Sequence, residues 1–288
     1  MLMNLRLWTI ASLLFLFSIP AFAAETPNSE NGLRANFKRV ALEMSSTDVS
    51  NAKQYENSPN TQLSSDSQTV IKGVLDFVLE YEQPQWQWNN SVFLEYGKTT
   101  LKDADGQKSS SENADKILLT TDYSRKMWRY RNADVGPFAS LGYQTEFTQN
   151  NDAPRTKTFR GKYGIKLFNG TYIKEFYLAG VEELDLTYDR SDTKSAWEIG
   201  ITAEYPLRDG VKFQLESYFR DYVIYSRYVG TDFRYEFNLT SRMDVKLNDT
   251  ISLAPYISYI RAQSREANAA GSNFMIGISI AYSELFNL

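Results

Sequence analysis

From Asp232 to Leu247 apolar and polar residues alternate one for one. Phe233, Tyr235, Phe237, Leu239, Met243, Val245 and Leu247 fall on one set of positions, and Asp232, Arg234, Glu236, Asn238, Arg242, Asp244 and Lys246 on the other. Only an extended strand puts these sets on opposite faces. The run is far longer than the usual five or six residues of a globular strand. The same alternation predicts strands over 69–82, 86–100, 116–125, 128–148, 158–168, 172–188, 195–207, 211–228, 251–263 and 273–288. A first strand near 33–44 alternates imperfectly, which predicts a bulge. Pro137 predicts a kink within 128–148, and the adjacent Glu182 and Glu183 predict a slip of phase within 172–188.

The connections between these roughly twelve strands fall into two sorts. Polar runs at 45–68, 102–114, 149–155, 189–194 and 264–272 alternate with tight turns at Gln83-Pro84-Gln85, Asn169-Gly170, Arg208-Asp209-Gly210 and Asn248-Asp249. Long loops on one rim and short turns on the other belong to a barrel that crosses a membrane with strands. The expected fold is therefore all-β, an antiparallel up-and-down transmembrane β-barrel of about 12 strands, with lipid against one face of every strand and a polar lumen against the other.

The N-terminus and the composition sharpen this picture. Arg6 precedes an apolar run from Ile10 to Phe22 that closes on Ala21-Phe22-Ala23, the pattern of a cleaved secretory signal. The expected division is a signal peptide over 1–23, a short periplasmic lead over 24–31 and an outer-membrane barrel over 32–288. Removing Arg6 would change the net charge from -4 to -5, which leaves no basic footprint for nucleic acid. Aromatic residues reach 14% although mean hydropathy is only -0.43. A barrel reconciles the two by carrying aromatic girdles outside and polar groups inside.

The segment Trp86-Gln-Trp-Asn-Asn-Ser-Val-Phe-Leu-Glu-Tyr-Gly97, followed by a polar loop and a further strand, resembles a hairpin of a bacterial outer-membrane family of unknown function, allied to the salt-induced outer-membrane proteins. The resemblance implies the fold and the membrane and brings no catalytic residues. The last strand is similar to the C-terminal signal of outer-membrane barrels, with Phe286 two places before Leu288 where such chains usually end in an aromatic residue. Barrel-assembly machinery, outer-membrane lipid and lipopolysaccharide are the partners this implies. The oligomeric state is not legible.

With no cysteine there is no disulfide or thiolate metal site, and with no histidine a serine nucleophile lacks a base that titrates near neutrality. A carboxylate pair such as Glu182 with Glu183 or Asp185 is the remaining acid–base arrangement, and solvated or lumenal charge is its plainer reading. No enzyme activity, cofactor or metal is expected. The residues expected to line the lumen are Lys72, Asp76, Arg160, Lys162, Lys166, Glu198, Glu204, Lys212, Glu216, Arg220, Arg234, Glu236, Arg242, Asp244 and Lys246. Twelve strands enclose a backbone diameter of roughly 24 Å, which long side chains reduce to a narrow bore. With Glu80, Asp122 and Asp232, expected on the same inner face, nine carboxylates meet nine cations, and this balance suggests a narrow, weakly selective pore or passive channel for small solutes. The alternative is a non-conducting structural or adhesion barrel that presents its loops.

Overall fold

The computed structural model describes residues 32–55, 58, 60–64, 69–102, 108–148 and 154–288. The expected signal and lead lie outside them. The strands are β1 (Gly32–Ser50), β2 (Thr69–Glu82), β3 (Trp86–Lys102), β4 (Lys108–Arg125), β5 (Trp128–Tyr130), β6 (Ala133–Thr145), β7 (Lys157–Phe168), β8 (Ile173–Asp185), β9 (Asp192–Arg208), β10 (Val211–Tyr225), β11 (Phe233–Lys246), β12 (Ile251–Ser264) and β13 (Gly271–Asn287). Each strand pairs antiparallel with its neighbours in sequence, except that β4 pairs with β6. The β1–β13 pairing closes the ring at twelve strands. The three-residue β5 is a side hairpin on β6, so the predicted single segment 128–148 is in fact two strands joined by a turn.

Closure leaves the twelve-strand ring no free edge, so its strands satisfy one another's backbones without water, while β5, outside the ring, pairs on one side. The expected bulge in β1 lies between Phe37 and Val40, where both neighbouring registers shift. The slip expected within 172–188 falls between Ile173 and Glu175 in the pairing with β9, whereas Glu182 and Glu183 themselves sit in continuous register with β7 from Glu175 to Asp185. The two carboxylates point to opposite faces, Glu183 buried and Glu182 exposed, where it accepts a hydrogen bond from Ser195 Oγ at 2.7 Å.

Outward positions are apolar and open: Leu42, Ile71, Leu141, Ile165, Leu178, Ile276 and Ile280 are all exposed. In water such a belt would drive association, whereas hydrocarbon accepts it. Aromatic contacts mark both ends of the belt. Toward the turns, Trp86 packs against Tyr81 and Tyr123, and Tyr172 against Tyr205. Toward the loops lie Tyr96 with Phe147, Tyr143 with Phe159, Trp197 with Phe219, and Phe237 with Tyr259. Two girdles of this sort are the signature of a membrane-spanning barrel.

Candidate functional site: the charged lumen

Strand alternation sends one polar series per strand into the interior, and there the charges pair. Arg220 on β10 donates through Nε to Glu198 Oε2 on β9 at 2.6 Å, and its Nη1 lies 3.5 Å from Glu236 on β11. Glu198 is fully buried and also receives Lys162 Nζ at 2.5 Å and the Tyr177 hydroxyl at 2.6 Å. Arg160 donates to Glu183 through Nε at 2.8 Å. Lys166 reaches past β6 to Asp122 on β4 at 2.7 Å. Tyr177 can lie across β9 only because position 200 is glycine; a Cβ there would collide with its ring.

Other predicted residues lie apart from this belt. Lys72 is held between Glu95 at 3.1 Å and Glu43 at 3.4 Å on the neighbouring strands. Nearer the turns, Glu204 takes Lys212 at 3.2 Å and Gln214 at 3.0 Å, while Arg242 pairs with Asp244 at 3.1 Å. Asp76 is half-buried, and Glu216 is exposed at an inward phase beside Lys212 and Gln214. Two positions are not in the lumen. Arg234 stands exposed at a β11 bulge on the loop rim, where the register shifts between Phe233 and Tyr235, and Lys246 is exposed beside the 247–250 turn. The bulge takes Arg234 out of phase, whereas Lys246 keeps its register opposite Ser252 and is exposed because it sits at the rim.

Sequence alternation missed several members. The tyrosines Tyr177, Tyr218 and Tyr222 face inward and bond to the ion pairs: Tyr218 donates to Glu236 at 2.7 Å, and Arg220 donates to the Tyr222 oxygen at 3.1 Å. Aromatic type argued for lipid, but their phase beside Arg220 would have placed them inside. A second network at the turn end, in which Glu82 accepts from Arg34 at 2.8 Å and Lys126 at 2.6 Å, also escaped notice.

On the loop side of the belt lies a cavity of about 220 Å³, lined from opposite walls by Glu95 and Lys116 of β3 and β4 and by Tyr218, Arg220 and Glu236 of β10 and β11. Its described lining holds seven carboxylates (Glu95, Asp115, Glu146, Glu183, Asp185, Asp232, Glu236) against four cations (Lys116, Arg160, Lys194, Arg220). The balance expected for the lumen as a whole does not extend to this chamber. Glu183 and Asp185 are each engaged with a cation, Arg160 and Lys194, so neither is an unpartnered acid–base candidate.

The first loop turns inward. Tyr55 and Leu63, both essentially fully buried, pack with Ile260, Ala262, Ala267 and Phe233 at the mouth. The Tyr55 hydroxyl accepts from Gly271 N at 2.8 Å and donates toward Ala262 O at 3.0 Å, and Gln62 Nε2 donates to Glu95 at 3.3 Å. The polar run expected to be a solvated connection therefore carries a docked segment.

At the same rim Asp232 and Asp192 are buried, and each leaves its Oδ2 without a partner, although Asp232 Oδ1 takes Lys194 at 2.6 Å. Burial holds the Asp232 carboxyl above the ordinary aspartate range, with Lys194 opposing and Asp192 reinforcing the shift. A carboxyl raised in the folded state binds its proton more tightly there. Stability is thus greatest in acid and declines as pH rises from the ordinary aspartate value through the raised one. Asp232→Asn, which keeps the neutral form, is expected to match wild type in acid and to unfold at higher denaturant above that window. A deficit of equal size at every pH would contradict it.

The fold and the lumen define a transmembrane β-barrel of the outer-membrane type. Residues 60–151 match a family described as a protein of unknown function (DUF3078). No curated protein matches the chain. Over nearly its whole length it is similar in structure to an outer membrane channel from Pseudomonas putida F1, with a TM-score of 0.52 at 12% identity, covering 92% of this chain and 100% of that one. An active-site mutant of outer membrane phospholipase A from Escherichia coli gives 0.46 at 10% identity over 90% of this chain and 94% of that one. The NanC porin gives 0.41 at 12% identity over 83% and 98%.

Proposed function

We propose that this barrel is a narrow outer-membrane pore for small solutes, with its loops outward. The observation that carries the reading is the chamber of about 220 Å³ shared by opposite walls on the loop side of the charged belt. Solutes would enter it and meet a constriction of paired charges around Arg220 and Glu198, with preference for cations because carboxylates outnumber basic groups in the lining. The likeness of the Trp86–Gly97 hairpin to proteins allied with the salt-induced family belongs to this same reading. In planar bilayers, purified protein is expected to give small unitary currents whose reversal potential in a salt gradient shifts toward the cation. Silent bilayers at high protein concentration would overturn the pore. A second reading, a non-conducting barrel that presents its loops, draws on the density of the belt and on the docked first loop, and silent bilayers are what it expects.

A further inference from the structure

Among the described residues, the arginines engaged in the lumen (Arg34, Arg39, Arg160, Arg220 and Arg242) all have carboxylate partners within 4 Å. On the loop rim of β11 and β12 this changes: Arg234, Arg261 and Arg265 enter no ion pair. Arg234, at the bulge, donates only to the Arg265 carbonyl at 3.3 Å. Arg265 lies over the rings of Tyr225 and Tyr228, its guanidinium carbon 4.1 and 4.4 Å from their centroids, and Nη1 reaches the Arg227 carbonyl at 3.4 Å. Arg227 Nε is itself a buried donor without an acceptor. Arg261 is the decisive residue. It is exposed on the outer face of β12, opposite Phe237, and set against the Tyr235 and Tyr259 hydroxyls.

A guanidinium on the lipid face is unfavourable in hydrocarbon and falls to little cost only at the interface. Three residues before the strand end, Arg261 lies roughly 10 Å below the rim. That is headgroup depth, where phosphate offers the bidentate acceptor that a guanidinium fits. The flanking tyrosines suit the same interface. We propose that Arg234, Arg261 and Arg265 form a docking surface for a phosphorylated glycolipid of the outer leaflet, its phosphates bridging the rim and the outer face of β11–β12. The surface lies outside the lumen, so it stands whether or not the barrel conducts.

The test is native mass spectrometry of detergent-solubilised full-length protein with added lipid A, the doubly phosphorylated glycolipid anchor of lipopolysaccharide, and with its dephosphorylated form. Wild type is expected to retain the phosphorylated lipid at least about tenfold better, the scale of losing one charge-assisted contact. Arg261→Ala, at an exposed position, is expected to lose much of that retention, and the triple variant Arg234→Ala/Arg261→Ala/Arg265→Ala nearly all, both with the unboiled gel mobility of a folded barrel. Equal retention of the dephosphorylated lipid by wild type would overturn the proposal, a comparison that needs no variant to fold. Unchanged retention by a folded Arg261→Ala would also overturn it, as would full competition by millimolar inorganic phosphate, which would mark a site for the free anion.

Discussion

Replacing Arg220 with methionine is expected to destabilise the barrel by about 3–5 kcal/mol, the cost of leaving a buried charge without its partner. Arg220 is almost entirely buried and serves Glu198 and Glu236 together. Its removal strands Glu198, which has no exposure to water and keeps only Lys162 and the Tyr177 hydroxyl. Urea unfolding in lipid vesicles, followed by the unboiled gel band, would measure the loss. The double variant Glu198→Gln/Arg220→Met is expected to lose less than the sum of the two single changes, because the charge left uncompensated by one is absent in the other. Strict additivity would mean that the two groups do not stabilise each other, and the belt would then be an ordinary polar lining. If the pore reading holds, folded Arg220→Met should also carry larger unitary currents than wild type.

The second large effect concerns the first loop. Tyr55 and Leu63 are buried against Ile260, Ala262 and Ala267, and a fully buried leucine or tyrosine replaced by a small polar residue forfeits several kcal/mol of local burial. The loss cannot exceed the free energy with which the loop docks, so the barrel itself should stay folded. Tyr55→Ser/Leu63→Ser is therefore expected to keep the unboiled mobility of a folded barrel while becoming rapidly cleaved by protease within 51–64. The hydroxyl of Tyr55 also bonds Gly271 N, Ala262 O and Ala269 O, so the serine variant leaves three backbone groups to water at the mouth. A loop that resists protease as in wild type would show that these contacts do not fasten it.

Why the belt was only partly legible follows from the residues. Alternation named Arg160, Lys162, Lys166, Glu198, Arg220 and Glu236, since charge at an inward phase is sufficient to place a side chain on a polar face. Tyr218 and Tyr222 share that phase, but tyrosine suits lipid interface and lumen equally, so type could not decide. Lys166 with Asp122 joins strands that are not neighbours, a pairing that exists only once β4 and β7 have both paired with β6. Arg234 failed for a different reason: a bulge between Phe233 and Tyr235 inserts one residue and turns its side chain out. Glu182 and Glu183 signal a slip but do not locate it: the register shifts between Ile173 and Glu175, and the adjacent carboxylates take opposite faces, one of them meeting a serine at the surface.

By itself the sequence determined the strand period, the sorting of loops from turns and the greasy outer face, because each depends on neighbours along one chain. Only the tertiary structure decided which charges meet, that Tyr55 and Leu63 fold back into the mouth, and that the chamber above the belt carries an excess of carboxylates. Those properties depend on the shear and closure of the ring, which bring residues from opposite walls to a common space, and no local pattern encodes the distance across it.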